Sequence, residues 1–243
     1  MKLLSASMEA AVSGSSMIRK MFEQGLELKR RFGADNVYDF SLGNPDLRSP
    51  SGRRAALSEK KKRQGEIKMD NIILIGMPGC GKSTVGVVLA KAMGYRFLDS
   101  DLLIQETDGR LLCNIIEEEG IRGFNEIENR INASIDVRKT VIATGGSVVY
   151  GREAMEHLKS IGTVVYIRLP LSEIKKRLGD LTKRGVSIRE GQSLEELYEE
   201  RAPLYERYAD ITADEKDMTI SETALYIRDM VKNIQESESS DNK

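Results

Sequence analysis

The eight residues Gly76, Met77, Pro78, Gly79, Cys80, Gly81, Lys82 and Ser83 constrain this chain more than any other stretch. They lie between an apolar run, Asn71 to Ile75, that reads as a buried strand, and a segment of helical period from Lys82 to Met93. Glycines at such a turn let successive backbone N–H groups point inward around a phosphate. The following helix adds its own unpaired N–H groups and the positive end of its dipole. Lys82 then neutralises terminal phosphates and the Ser83 hydroxyl holds Mg2+. The pattern implies a nucleoside triphosphate site, with Gly79, Cys80, Gly81, Lys82, Ser83 and Thr84 as its nucleotide-binding set. Cys80 reads as a small space-filling residue, although a helix N-terminus can also activate a thiol.

Beyond this loop, apolar runs alternate with helical segments. Strands are expected at Asn71–Ile75, Tyr95–Leu98, Thr140–Ala143, Thr163–Arg168 and Asp210–Ala213. Helices are expected at Lys82–Met93, Asp101–Gln105, Leu111–Glu119, Arg122–Val137, Arg152–Ile161, Leu171–Leu178, Leu194–Tyr208 and Ile220–Gln235. This alternation means an α/β fold with a parallel sheet covered on both faces. The pattern starts at Met69 and gives a domain over residues 69–243. Before it, residues 53–68 read as a basic linker: from Arg53 to Arg63, Arg53, Arg54, Lys60, Lys61, Lys62 and Arg63 stand against Glu59, with no apolar period to bury. Residues 1–52 form a separate N-terminal piece.

Charge and composition remove several function classes. Lys plus Arg number 37 and Asp plus Glu 38, so the net charge is −1 and no global field exists to hold a nucleic acid or an anionic membrane. Two cysteines and one histidine are too few for a disulfide framework or a four-ligand zinc site. No apolar run approaches the roughly 20 residues of a membrane span, and no signal peptide is read at the N-terminus, so a cytoplasmic setting is expected.

The second expected strand runs into Asp99, Ser100 and Asp101. Open parallel sheets bind ligands beyond the carboxyl ends of their strands, so two acids spaced this way can divide labour. Asp99 then serves Mg2+ and its waters, and Asp101 an acceptor hydroxyl. Either acid can also cap the helix that follows.

These residues carry a resemblance. The stretches at 72–104, 120–128 (GIRGFNEIE), 141–149 (VIATGGSVV), 164–178 and 200–211 (ERAPLYERYADI) make the chain from Met69 onward resemble shikimate kinase. The resemblance implies a three-layer P-loop kinase fold with a five-stranded parallel sheet and a helical lid, here preceded by an N-terminal extension. It implies ATP-dependent phosphorylation of a shikimate hydroxyl to shikimate 3-phosphate, a step of aromatic amino acid biosynthesis, with ATP and Mg2+. By the same resemblance, Asp101 binds the acceptor diol and Asp99 helps to place Mg2+. Gly145 and Gly146 approach the substrate ring, Arg177 lies beside the adenine, Arg184 closes over the phosphates, and Arg201 grips the substrate carboxylate. Lys82 and Arg184, with Asp101, form the implied catalytic set.

Three positions depart from the family pattern. FRxxE reads Phe124, Asn125, Glu126, Ile127, Glu128, so Asn125 stands at a substrate-binding position where the pattern has an arginine. Arg122, on the same face if the stretch is helical, is a candidate replacement for that charge. The glycine triplet reads Gly145, Gly146, Ser147, and the lid RPL reads Arg184, Gly185, Val186. Two alternatives therefore stay open: a kinase of another small hydroxylated acid, or a non-catalytic nucleotide-binding module.

Residues 14–48 resemble the N-terminal arm of a fold-type I aminotransferase, without the rest of such an enzyme. Met17, Ile18, Met21, Phe22 and Leu26 follow a helical period, and this apolar surface is expected to pack on a protein partner or on the kinase domain, or to remain loosely ordered. His157 is expected at the surface, and Glu117 to Glu119 on a solvated helix face.

Overall fold

A computed structural model describes Arg31 and residues 70–178, 189, 191–216 and 218–240. The chain enters the fold as β1 (Asn71–Ile75), whose five residues are all buried. A strand covered on both faces has no solvent side to alternate with, which is why NIILI is apolar throughout apart from Asn71. That asparagine laces the lower end of the sheet: its side-chain amide donates to Val137 O and Ile161 O at 2.8 and 2.9 Å and its carbonyl accepts from Thr140 N at 3.0 Å.

The phosphate loop leads into α1 (Lys82–Met93), which ends at the left-handed Gly94. There follow β2 (Arg96–Asp99), α2 (Ser100–Asp108), α3 (Leu112–Ala133), β3 (Thr140–Ala143) and a short 3-10 turn at Val148–Tyr150. The chain continues as α4 (Arg152–Ile161), β4 (Gly162–Arg168), α5 (Leu171–Leu178), α6 (Leu194–Tyr208), β5 (Ile211–Asp214) and α7 (Ile220–Ser240). α3 joins the two helices expected at Leu111–Glu119 and Arg122–Val137, with Gly120 leaving helical geometry at φ 69° and ψ 176° between them.

The sheet has five strands in the order β2-β3-β1-β4-β5, and all four pairings are parallel. α1 packs on β1, β2 and β3 and on α7, while α4 packs on β1 and β4 and α6 on β4, giving the expected three layers. The core is Ile72 to Ile75, Val85, Leu89, Val141, Ile142, Val164 to Ile167, Met155 and Leu158, joined by Ile227 and Val231 of α7. A smaller cluster of Ile104, Leu112, Ile115, Phe124 and Ile131 holds α2 to α3. The chain runs from β1 to one side of the sheet and later to the other. The ends of β1, β2 and β3 therefore gather at the point where strand order reverses, where ligands of such sheets bind. Among the described residues no helix is long and apolar enough to cross a membrane. Residues 1–52 and the linker, apart from Arg31, lie outside the described residues, and so does the lid segment with Arg184.

Candidate active site

The phosphate loop is shaped by its glycines. Gly79 and Gly81 hold φ at 81° and 92°, a region that other residues rarely adopt. Gly81 is also the N-cap of α1, where no side chain caps the helix and no acid lies in the first turn. The first-turn N–H donors are thus left for an anion. Lys82 is 8% exposed, and its Nζ donates to Gly76 O at 2.8 Å and Met77 O at 3.0 Å. Cys80 is fully buried in this loop, and burial pushes its thiol above the ordinary range, which fits a filler rather than a nucleophile.

Asp99 does two things at once. Its Oδ1 accepts from Asp101 N at 3.1 Å as the N-cap of α2, and its Oδ2 accepts from the Ser83 hydroxyl at 2.7 Å. The capping and the functional readings of this acid are therefore compatible. Among the described residues no cluster of three or more His, Cys, Asp or Glu side chains could hold a metal. The Ser83–Asp99 pair beside an open N-terminus instead suits Mg2+, which keeps several waters and takes its remaining ligands from phosphate oxygens.

The acceptor side forms at the end of β3. Thr144 Oγ1 donates to Leu74 O at 2.9 Å and Gly145 N donates to Ser100 Oγ at 3.2 Å, fixing the glycine pair between β1 and α2. A Cβ on Gly145 would run into Glu128 Oε1 and lie 2.8 Å from Asp101 Oδ1. One on Gly146 would lie 2.8 Å from Pro78 Cδ and 3.1 Å from Arg201 Nη1. Asp101, Arg201, the two glycines and the phosphate loop thus meet around one point, though they come from four separate parts of the sequence.

Arg201 is 1% exposed. Its Nε donates to Tyr150 Oη at 3.1 Å and its guanidinium lies 5.1 Å from the centroid of the Tyr150 ring. Tyr205, one turn on, donates to Gly146 O at 2.6 Å and stacks on Tyr166. At the other end of the loop, Arg177 donates to Glu215 Oε1 at 3.0 Å, and both Glu215 oxygens and Arg177 Nη1 lie 3.7 to 3.8 Å from the Cβ position of Gly81. Burial pushes the Glu215 carboxyl up, and Arg177 pulls it back down.

Sequence reasoning missed Glu128. It closes the FNEIE motif, one helical turn after Asn125, and is 1% exposed with Oε1 lacking a hydrogen-bond partner among the described residues. Burial and, to a smaller degree, the charge of Asp101 push its carboxyl up to about 8, against a hydrogen bond from Ser147 and the charges of Arg201 and Lys82. Its signal was an acid on an otherwise core-facing helix position. Arg122 does not replace the missing arginine: its side chain is 95% exposed and reaches toward Glu126 Oε1 at 3.8 Å. Asn125 is half-buried on α3. His157, expected at the surface, is half-buried and lies 2.7 Å from Ile135 O. Glu118 and Glu119 are exposed as expected, where both pair with Arg110.

The sequence pattern of the family described as "Shikimate kinase" matches residues 78–232. A shikimate kinase of Actinobacillus succinogenes is 38% identical over 168 residues, covering 67% of this chain and 95% of the relative. Shikimate kinase 2 of Dickeya chrysanthemi is 33% identical over 152 residues, covering 59% of this chain and 86% of the relative. Among solved structures, shikimate kinase from Acinetobacter baumannii, in complex with shikimate, superposes with a TM-score of 0.58 at 32% identity, covering 72% of this chain and 96% of that one. Shikimate kinase from Bacteroides thetaiotaomicron gives 0.56 at 26% identity. With its phosphate loop, its sheet order and these relatives in agreement, the chain belongs to the shikimate kinase family of phosphotransferases.

Proposed function

We propose that this protein transfers the γ-phosphoryl group of ATP to a ring hydroxyl of shikimate, yielding shikimate 3-phosphate. The observation that carries the reading is the meeting of Asp101 and Arg201 around Gly145 and Gly146, directly opposite Pro78 of the phosphate loop. An acceptor that bears both hydroxyls and a carboxylate needs an anion for the first and a cation for the second. A planar, buried guanidinium supplies the cation with two parallel donors.

In this reading ATP brings the reacting phosphoryl group and Mg2+ neutralises charge on its oxygens. Lys82 turns from the carbonyls of Gly76 and Met77 to the phosphates, and Ser83 and Asp99 hold the ion and its waters. Asp101 accepts the hydrogen bond of the acceptor hydroxyl and orients its oxygen. Arg201 fixes the far end of the ring. Arg177 serves the nucleoside and Arg184 the phosphates. Since phosphoryl transfer is catalysed mainly by positioning and charge, Lys82 matters more to rate than proton removal by Asp101. Residues 69–243 form the catalytic unit, preceded by the linker at 53–68 and the N-terminal piece at 1–52.

One observation favours a second acceptor. Asn125 offers only neutral hydrogen bonds, and Arg122 points to solvent, so another small hydroxylated acid with a lesser demand for positive charge is the alternative. A steady-state assay over a panel of hydroxylated acids, with Lys82→Ala as the control, decides between them. Brisk turnover of shikimate, abolished by the substitution, supports the first reading. No turnover of shikimate with turnover of another acid overturns it, and ATP binding without turnover of any acceptor returns the chain to a nucleotide-binding module.

A further inference from the structure

The guanidinium of Arg201 does not hold its orientation by itself. A buried cation with five donors can rotate about its long side chain unless some of those donors are committed elsewhere. Arg201 commits Nε to the Tyr150 hydroxyl at 3.1 Å, sets its Cζ over that tyrosine ring at 5.1 Å from the centroid, and also meets the Tyr205 hydroxyl. A phenol has one proton and can both donate and accept, so its polarity has to be set by a third group. Glu200 sets it: the Tyr150 hydroxyl donates to Glu200 Oε1 at 2.8 Å, which turns the oxygen's lone pairs toward Arg201.

Glu200 is fixed in turn. Arg189 Nη2 donates to the same Oε1 at 3.1 Å, and Gln192 Nε2 donates to Oε2 at 2.8 Å, both from the stretch that leads into α6. These contacts, led by the hydrogen bonds of Tyr150 and Gln192, hold the Glu200 carboxyl below its ordinary range although partial burial opposes them. The chain of contacts runs from Arg189 and Gln192 through Glu200 and Tyr150 to Arg201, whose Nη1 edge faces Gly146.

We infer that Tyr150 and Glu200 are positioning residues for acceptor recognition: they lock the Arg201 fork at the angle that meets the acceptor's carboxylate. Neither touches the nucleotide side. This rests on the reading of Arg201 as the carboxylate anchor.

Tyr150→Phe and Glu200→Gln test it. Phenylalanine keeps the ring but removes the acceptor for Nε. Glutamine keeps the shape, yet its amide can donate to the phenol and reverse the polarity of the chain. Each variant is expected to raise the KM for shikimate about tenfold, the order expected from one charge-assisted hydrogen bond. kcat and the KM for MgATP should stay within about twofold, and the thermal midpoint close to that of the unsubstituted protein. The discriminating arm uses a shikimate analogue whose carboxylate is replaced by a neutral hydroxymethyl group, scored as a substrate or as a competitive inhibitor. Its affinity should be the same in the parent protein and in both variants. An equal loss for the charged and the neutral acceptor, a fall in kcat with a rise in the MgATP KM, or no change at all would overturn the inference. Failure of the parent protein to use shikimate is a different outcome and counts against the proposed function itself.

Discussion

The Ser83 hydroxyl donates to Asp99 Oδ2 at 2.7 Å, tying the first turn of α1 to the end of β2 across the intervening strand β3. Asp99 also caps α2. The two roles separate by substitution. Asp99→Asn keeps a good N-cap, so unfolding by urea should change by only a few tenths of a kcal/mol, whereas Asp99→Ala should cost about 1 kcal/mol. Both should raise the Mg2+ concentration needed for half-maximal rate, by about tenfold, because both remove the charge that the ion and its waters meet. Magnesium titrations of the rate, beside urea curves, check the pair.

Glu128 predicts a pH dependence. Its folded pKa of about 8 lies above the ordinary 4.5. The folded state therefore binds this proton more tightly than the unfolded chain does. The stability tied to the neutral carboxyl is fully present below about pH 4.5 and is lost as pH rises toward 8. Glu128→Gln stays neutral throughout. The stability of the parent protein relative to this variant should fall between about pH 5 and pH 8, by at most about 1.4 kcal/mol per pH unit. Urea unfolding midpoints over that range measure it, and a flat difference would contradict the assignment.

Gly145→Ala should damage the acceptor side alone. The added methyl meets Glu128 Oε1 and Asp101 Oδ1 in a fully packed corner, so both acids must move. A displacement of about 1 Å at a positioning group is enough for a loss near a hundredfold in kcat/KM for the acceptor. Binding of MgATP, read by calorimetry, should be unchanged, because the Gly79–Gly81 turn lies on the other side of the site.

A chain that begins at Met69 should keep its activity. β1 starts at Asn71, and its side-chain bonds to Val137, Thr140 and Ile161 all lie within the kinase-like portion. Truncation of residues 1–68 should leave kcat and both KM values within about twofold. An inactive truncation would show that the division at the basic linker is misplaced.

Much of the fold was readable because its strands are covered on both faces. Asn71–Ile75 and Thr140–Ala143, each a continuous apolar run after one polar residue, coincide with the observed strands, and the edge strand β2 differs by one residue at each end. The end of α3 was less readable. Ile135 and Val137 continue the helical period on paper, but the helix stops at Ala133 and Ile135 packs into the core from the connection that follows. The phosphate loop was legible because its chemistry needs a fixed local spacing. Glu128, Tyr150 and Glu200 were not, since their importance comes from contacts with residues far away in sequence. Glu128 meets Gly145 through the packing of α3, and Tyr150 meets Glu200 across 50 positions. The same limit explains Arg122: helical spacing offers it a shared face with Asn125, while the packing of α3 turns it to solvent.

Lys82 already rests on two loop carbonyls, and Arg177 already rests on Glu215 beside Gly81. A nucleotide therefore meets cations that are already engaged, Lys82 on its phosphate side and Arg177 on its nucleoside side, and its capture is an exchange of partners in which a new bond replaces an old one. The net gain per contact is small, as it is wherever one hydrogen bond is traded for another.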